Sequence, residues 1–398
     1  MKKDMKLTPD VEYILEKLCD AGYRADVVGG AVRDYLLGRE LYDYDITTVA
    51  TPDEVKEVFE GHRIVETGIK HGTVTLVLDE GSYEITTWRV DGDYLDNRHP
   101  DSVSFSRTLE EDLARRDFTV NAICYNPVDT YTDIFGGMDD LKAGIIRAVG
   151  DPARRFDEDA LRIIRGVRFS AELGFRLDEG TAIAALAKRE LLNNVSAERI
   201  YTELKKLLAA DGAHRTVALY GDVILTILPE LDRIVLPGAD KFMTLTAIEK
   251  LAALFHLGSA SPKEAFSSAM HRLKSDSDSR ILGEDILAII AEHKPSTLYD
   301  ALKMLSLYGK RAGDSALKLG LALDVWGPEE KLAYETALDL GRAYTVSELS
   351  IDGNDLMSIG LSGREIGKAL SDILDAVMRG ECDNNKDALL AYYREHLA

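Results

Sequence analysis

Hydrophobic periodicity changes character once along this chain, near residue 150, and that change limits the fold more than any single residue does. Upstream, short β-rich runs alternate with short helical ones. "ADVV" leads into a glycine pair, "YDYDITT" alternates, and "GTVTLVLDEGSYEITTWRV" (72–90) reads as a hairpin turning at Asp79–Ser82. Helices are expected at 9–20, at 31–38 closing on Gly38, at 52–59 with Thr51 as N-cap and Pro52 in the first turn, and at 108–117. "FTVNAICYN" (118–126) reads as a further strand, and 91–106, polar and turn-rich, as a mobile loop. Downstream, "FDEDALRIIRGVRFSAELG", "GTAIAALAKRELLN" and "SAERIYTELKKLLAA" follow one another with helical spacing, and strand signals nearly vanish. The expected architecture is an α+β head with a mixed or largely antiparallel sheet and helices, residues 1–150. An all-α neck (151–210), body (211–330) and tail (331–398) follow, with loops near 210–215, 258–263 and 326–330.

A chain of 398 residues exceeds one compact core, so two to four domains are expected. Hydrophobic residues at 45% and charged residues at 29% suit a soluble globular protein. No apolar run approaches the ~20 residues of a membrane span, and the first residues do not read as a secretory signal. Cys19, Cys124 and Cys382 lie far apart without CxxC spacing, so neither a disulfide framework nor a zinc site is expected and a reducing cytoplasm is the default. The net charge of −21 argues against non-specific nucleic-acid binding over the whole surface. A local basic groove is compatible with it, because exposed charges more than about 10 Å apart are screened at physiological salt.

Asp43 and Asp45 are separated by one residue in a strand-like run, which places both carboxylates on one face and Tyr44 on the other. Two such carboxylates suit a hard divalent cation such as Mg²⁺, and equally suit a solvated acidic edge. The glycines just upstream bear on this choice. Gly29 and Gly30 stand between a strand and a helix, where backbone approaches a phosphate closely, and Arg33 lies on the first turn of that helix. An ordinary strand–helix turn explains the glycines, but not their place beside a carboxylate pair.

Arginines cluster in two further segments. "RRDFTVNA" (115–122) fits a helix end whose arginines complement its dipole. In "EDALRIIRGVRF" (158–169), Asp159, Arg162 and Arg165 step by three and share one helix face, while Arg168 drifts around it. A solvated face of i,i+3 ion pairs accounts for that pattern as well.

Together, "GGAVRD…DYDI", "RRDFTVNA" and EDxxR resemble the signature of the DNA polymerase β nucleotidyltransferase superfamily. More narrowly they resemble its class II tRNA nucleotidyltransferases (CCA-adding enzymes) and bacterial poly(A) polymerases. The resemblance implies that Asp43 and Asp45 hold catalytic Mg²⁺, with Glu84 a candidate third acid. It implies that Gly29, Gly30 and Arg33 cradle the triphosphate and that Arg116 touches nucleotide phosphate or ribose, while Asp117 and Asn121 order the loop around it. Asp159 and Arg162 become a protein template reading the Watson–Crick edge of C or A, which suits an acceptor-only carboxylate beside a fork of donors. Arg165 and Arg168 would serve sugar, phosphates or template orientation. "SAERIYTELKKLL" (196–208), with Ser196 as N-cap, resembles the family's neck motif, which buttresses the template helix.

Elsewhere the resemblance is looser. Residues 350–393 resemble a tRNA-binding tail, with Arg364 and Lys368 as RNA contacts and helix N-termini open to phosphates; a helical cap fits the pattern equally. His256 is followed by Leu257, so the His-Asp pair of a phosphohydrolase is absent and His256 reads as a packing or capping residue. The expected function is addition of CCA to the tRNA 3′ end from CTP and ATP, with release of pyrophosphate, in the cytoplasm. Loop 91–106 would adjust the template between CTP and ATP, which argues against a CC-only enzyme. The rivals are an A-adding-only enzyme, a poly(A) polymerase, and a catalytically silent RNA-binding protein on the same fold. Oligomeric state stays open.

Overall fold

The structure, a computed structural model, describes residues 4–41, 43–91 and 103–397. The chain divides into two compact units, Met1–Ile227 and Leu228–Ala398. Among the described residues no helix is long and apolar enough to cross a membrane.

The first unit opens with helix α1 (Pro9–Asp20), whose Val11, Ile14, Leu15 and Leu18 form one buried stripe. Strand β1 (Ala25–Val28), helix α2 (Gly30–Leu36) and strand β2 (Asp45–Thr48) follow. Helix α3 (Pro52–Val58) starts in a full capping box between Thr51 and Glu54. Strands β3 (Arg63–Val65), β4 (Thr73–Val77) and β5 (Ser82–Thr87) come next, β4 and β5 making the expected hairpin. Beyond Trp88, β6 (Arg89–Asp91) and β7 (Val103–Phe105) pair as a separate antiparallel ribbon. The segment read as loop 91–106 is therefore bounded by paired strand at both ends, and its residues 92–102 lie outside the described residues.

Helix α4 (Leu109–Ala114) precedes a one-turn 3₁₀ helix at Thr119–Asn121, then β8 (Ile123–Asn126) and β9 (Thr130–Asp133). The strand read over 118–126 is thus half as long as expected. The Asp117 carboxylate accepts the Phe118 N–H at 2.8 Å and the Asn121 amide at 3.1 Å, which winds the intervening residues into a tight turn. Helix α5 (Gly137–Ala143) and two short parallel strands, β10 (Ile145–Ile146) and β11 (Arg176–Leu177), lead into the helical part.

The main sheet has the order β3-β4-β5-β2-β1-β8-β9. Only β2 and β5 run parallel; the other pairs are antiparallel, so the sheet is mixed. Its central register sets Val28 opposite Asp45 and Val28 opposite Cys124. The residue that follows β1, Gly29, therefore emerges at the end of the sheet where β2 begins.

The helical part of the first unit has α6 (Pro152–Glu158), α7 (Leu161–Leu173), α8 (Glu179–Ala187) and α9 (Ala197–Ala209), followed by the short helices Ala213–Leu219 and Gly221–Ile227. Gly166 of α7 lets Phe118 pack close, since a Cβ there would sit 2.9 Å from the Phe118 ring. The second unit is helical, from Ala239–Met243 to Lys386–Tyr392, around Phe242, Phe255, Phe266 and Tyr334. Its long helix Leu298–Ala322 bends at Gly309, which has φ 76°. Residues 228–238 carry no helix, a departure from the continuous helical reading.

Candidate functional site

The centre of the site is the turn from β1 into α2. Gly29 has φ 77° and ψ −129°, a conformation that L side chains rarely adopt. A Cβ on Gly29 would lie 3.4 Å from Nη1 of Arg116 and 3.8 Å from Oδ2 of Asp45. Glycine thus leaves the backbone bare beside a carboxylate and a guanidinium. The Gly29 N–H is spent on the carbonyl of Ile123, so what Gly29 offers a ligand is close approach. At Gly30 a Cβ would meet only Arg33 Nη2, at an ordinary contact distance of 3.7 Å.

Asp45 opens β2, whereas Asp43 and Tyr44 precede the strand. The two carboxylates thus do not share one strand as the alternation suggested: Asp45 is pinned by the ladder and Asp43 stands in the segment leading to it. Both are exposed. One face of Asp45 meets solvent while protein packs against the other. That desolvation raises its carboxyl above the ordinary range; Arg116 pulls it back, and the Asp43 charge pushes it further up. A bound cation would relieve both upward pressures, and carboxylate oxygens are the donors a hard divalent ion prefers. Glu84 is exposed and sits opposite Asp45 in the parallel β2–β5 pairing, on the same side of the sheet. Among the described residues, no three acidic, histidine or cysteine groups stand together as a ready-made metal cluster.

Arg116 is held over this turn from below. Two residues along β2 from Asp45, the Thr47 hydroxyl donates to the fully buried Asp112 at 3.2 Å. Asp112 also accepts Arg115 at 2.7 Å and Arg116 at 3.3 Å. Burial raises its carboxyl, and the two arginines outweigh burial and hold it below the ordinary range. Nε of Arg116 is buried without a hydrogen-bond partner. Asp112 escaped sequence reading, although its i,i+3 and i,i+4 spacing to the arginine pair was a usable signal.

Arg33 is almost buried and heavily engaged. Its Nε and Nη2 bind Asp34 at 3.0 and 2.8 Å, and Nη1 binds the Asn121 side chain at 2.7 Å. Asn121 reaches Asp117, whose second oxygen accepts Arg165 Nε and Nη2 at 2.9 and 2.6 Å. Asp117 and Asn121 do order this loop, as expected, and they tie it to α7.

The segment 158–169 departs from its sequence reading. Asp159 is not on the face of α7; it has φ −137° and occupies the break between α6 and α7. Its Oδ1 accepts the Leu161 N–H at 3.1 Å and its Oδ2 accepts Arg199 of α9 at 3.2 Å. A capping carboxylate and a helical i,i+3 partner look alike in sequence, which is why the break was not expected. The Arg162 guanidinium does not pair with the Asp159 carboxylate; only its backbone N–H meets the Asp159 carbonyl, at 3.0 Å. It donates to Glu158 at 3.0 Å and to the carbonyls of Arg155 and Arg115 at 3.2 and 2.7 Å. Arg162 therefore joins α7 to the "RRD" segment of the head. Arg168 is buried and binds Glu172 and Glu203. Arg199 and Glu203 of α9 both reach the α6–α7 segment, so α9 holds Asp159 and Arg168 in place. Ser196 starts α9 but makes no side-chain cap bond.

In the second unit, Arg364 and Lys368 are exposed on the helix Arg364–Arg379. At the helix Gly353–Ser358, Asp352 already accepts the Asn354 and Asp355 N–H groups at 2.8 and 3.1 Å, so those two amides are not open to a phosphate. His256 is half-buried in the last turn of the helix Ala247–Gly258, and burial lowers its pKa.

A bare glycine turn meeting a carboxylate at the lip of a mixed sheet, under a fixed arginine, defines a nucleotidyltransferase head. Residues 25–147 match the poly A polymerase head domain, and residues 174–234 match the probable RNA and SrmB-binding site of polymerase A. The chain belongs to the CCA-adding enzyme family, the tRNA nucleotidyltransferases. It is 36% identical to the CCA-adding enzyme of Leuconostoc mesenteroides, over 98% of this chain and 96% of that one. It is 36% identical to that of Lactobacillus helveticus, over 96% of each. Among solved structures, the Bacillus stearothermophilus CCA-adding enzyme in complex with CTP aligns over 98% of both chains, with TM-score 0.80 and 32% identity. The Thermotoga maritima CCA-adding enzyme complexed with tRNA shares the fold, with TM-score 0.71 and 22% identity.

Proposed function

We propose that this chain adds C, C and A in turn to the 3′ end of tRNA, using CTP and ATP, in the cytoplasm. The observation that carries the reading is the Gly29 turn, delivered by the β1–β2 register beside Asp45 and beneath Arg116. In the reaction the 3′-hydroxyl oxygen bonds to the α-phosphorus, the bond from that phosphorus to the bridging oxygen breaks, and pyrophosphate leaves with the electron pair. Asp43 and Asp45, with Glu84 alongside, would hold a divalent ion, Mg²⁺ by the hardness of the donors. When bound, that ion supplies positive charge to the reacting oxygens and acidifies the attacking hydroxyl.

The chain's own residues do the rest. Gly29 and Gly30 let the triphosphate approach the backbone, and Arg116, with its buried unpaired Nε, faces the phosphates. Asp159 offers acceptors to the exocyclic amine that cytosine and adenine share, and Arg162 offers donors to the ring edge. U and G present the reverse polarity and leave a half-buried carboxylate facing a carbonyl. Arg33, Arg165 and Arg168, already paired with protein groups, orient these parts. In the tail, Arg364 and Lys368 are assigned to the tRNA backbone.

The test supplies the purified chain with tRNAs ending at the discriminator base, at C and at CC, each with CTP, ATP or both. Completion of all three to CCA is expected. Addition of A to the CC form alone would make it an A-adding enzyme, and long A tails a poly(A) polymerase. Asp43→Ala should abolish incorporation and spare tRNA binding; retained activity would remove Asp43 from the metal site.

A further inference from the structure

We propose that Phe169 is a positioning residue that couples the phosphate side of the site to its base-reading side. The proposal rests on the reading above, in which one nucleotide spans both sides. Three guanidiniums converge on this ring: Arg168 at 3.9 Å from its centre, Arg33 at 5.1 Å and Arg165 at 5.3 Å. They come from two separate elements, α2 behind the glycine turn and α7 behind Asp159. The ring is 5% exposed, and Phe118 meets it edge-on at 5.9 Å.

A polar path closes on the same ring. Arg33 binds Asn121, Asn121 binds Asp117, and Asp117 binds Arg165. Arg33 and Arg165 then both face Phe169. The circuit therefore links α2 to α7 twice, once through hydrogen bonds and once through the aromatic face. An aliphatic core residue would fill the same volume. It would not give the guanidiniums the negative face that an aromatic quadrupole presents, an attraction that strengthens where water is excluded. Because Asp159 caps the first turn of α7 through the Leu161 N–H and α2 begins at Gly30, a displacement of α7 by an ill-fitting base is passed to Arg33 and to the turn that holds the triphosphate. Correct seating of the base is thereby felt where the bond is made.

The test uses the full chain and two variants, Phe169→Leu and Phe169→Tyr. The readouts are kcat and KM for CTP and UTP on tRNA ending at the discriminator base, inhibition by inorganic tripolyphosphate, and melting temperature. Phe169→Leu should narrow the CTP-over-UTP preference in kcat/KM about tenfold, mostly through kcat for CTP, which corresponds to loss of about 1.4 kcal/mol of coupling. Inhibition by tripolyphosphate, which has no base, should stay unchanged. Phe169→Tyr, which keeps the ring face, should retain the preference. An unchanged preference in the leucine variant, an equal loss for both nucleotides, or a tyrosine variant no better than the leucine one would overturn the proposal. If Phe169→Leu melts below the assay temperature, Asn121→Ala opens the same circuit at another link. It must narrow the preference likewise, and an intact preference there rejects the coupling. A wild-type chain that extends no tRNA would sink the underlying reading instead.

Discussion

Burial alone would push the Asp117 carboxyl upward, but the Arg165 guanidinium and the Asn121 amide together outweigh it, with Arg162 adding from farther away. They hold the group at about 2, against an ordinary 3.8. A carboxyl depressed in the folded state contributes stability above its unfolded value, and that contribution is lost as pH falls through the folded one. The window here runs from about pH 4 down to about pH 2. The contribution is of the order of 2 kcal/mol. Urea midpoints measured across this window should fall for the wild type, and Asp117→Asn should start lower at pH 7 and show a flatter acid limb. A limb of the same steepness in the variant would assign the acid loss to other carboxylates. The ordering role of Asp117 and Asn121 was legible in the eight-residue string. The pairing with Arg165, 48 residues away, was not, because a contact of that separation leaves no local period.

Among the elements, α7 and α9 are joined by a buried ion pair, Arg168 with Glu203. Glu203 is 8% exposed at its side chain, and so is Arg168. Removing one member of a buried ion pair typically costs about 3–5 kcal/mol, because the other charge is stranded. Glu172 remains on Arg168, so Glu203→Ala is expected to destabilise the folded chain by roughly 2–3 kcal/mol, with Glu203→Gln costing less. Equilibrium unfolding in urea measures both, and equal losses would mean that volume rather than charge is what the site feels. Periodicity placed α9 because it buries one face, and α7 because its apolar residues recur at helical spacing, although α7 is buried nearly all round, Arg162 and Arg168 included. It failed at the residue 159–160 break and at 119–121 for a shared reason. In both places a side-chain carboxylate takes backbone N–H groups and ends the regular run, and an aspartate that caps is spelled like one that pairs across a helix turn.

At the scale of the whole molecule, the mixed sheet followed by helices could be read from the change in period, and the β4–β5 hairpin from its turn. The crossing that lays β5 parallel to β2 could not. It brings Glu84 beside Asp45, and it depends on packing across the intervening 38 residues rather than on any neighbour in sequence. The net charge of −21 makes the chain as a whole repel polyanions. Affinity for tRNA must then come from local clusters of arginine and lysine that displace counterions from phosphates. Filter-binding or anisotropy titrations should show tRNA affinity dropping ~10-fold or more between roughly 50 and 200 mM monovalent salt. A flat response would mean that shape and stacking, not cationic contacts, hold the tRNA.

The register that sets Val28 against Cys124 has a practical consequence. Cys124 is fully buried, and burial drives its thiol well above the ordinary range, so neither access nor ionisation favours its modification. Cys19 is exposed and Cys382 is partly so. A thiol-alkylating reagent will therefore mark Cys19 while the molecule is folded and reach Cys124 only when β1 and β8 part. Strand β1 is the one that leads into the Gly29 turn. The molecule thus carries a chemical clock for the opening of its main sheet, readable by mass spectrometry without any engineered label.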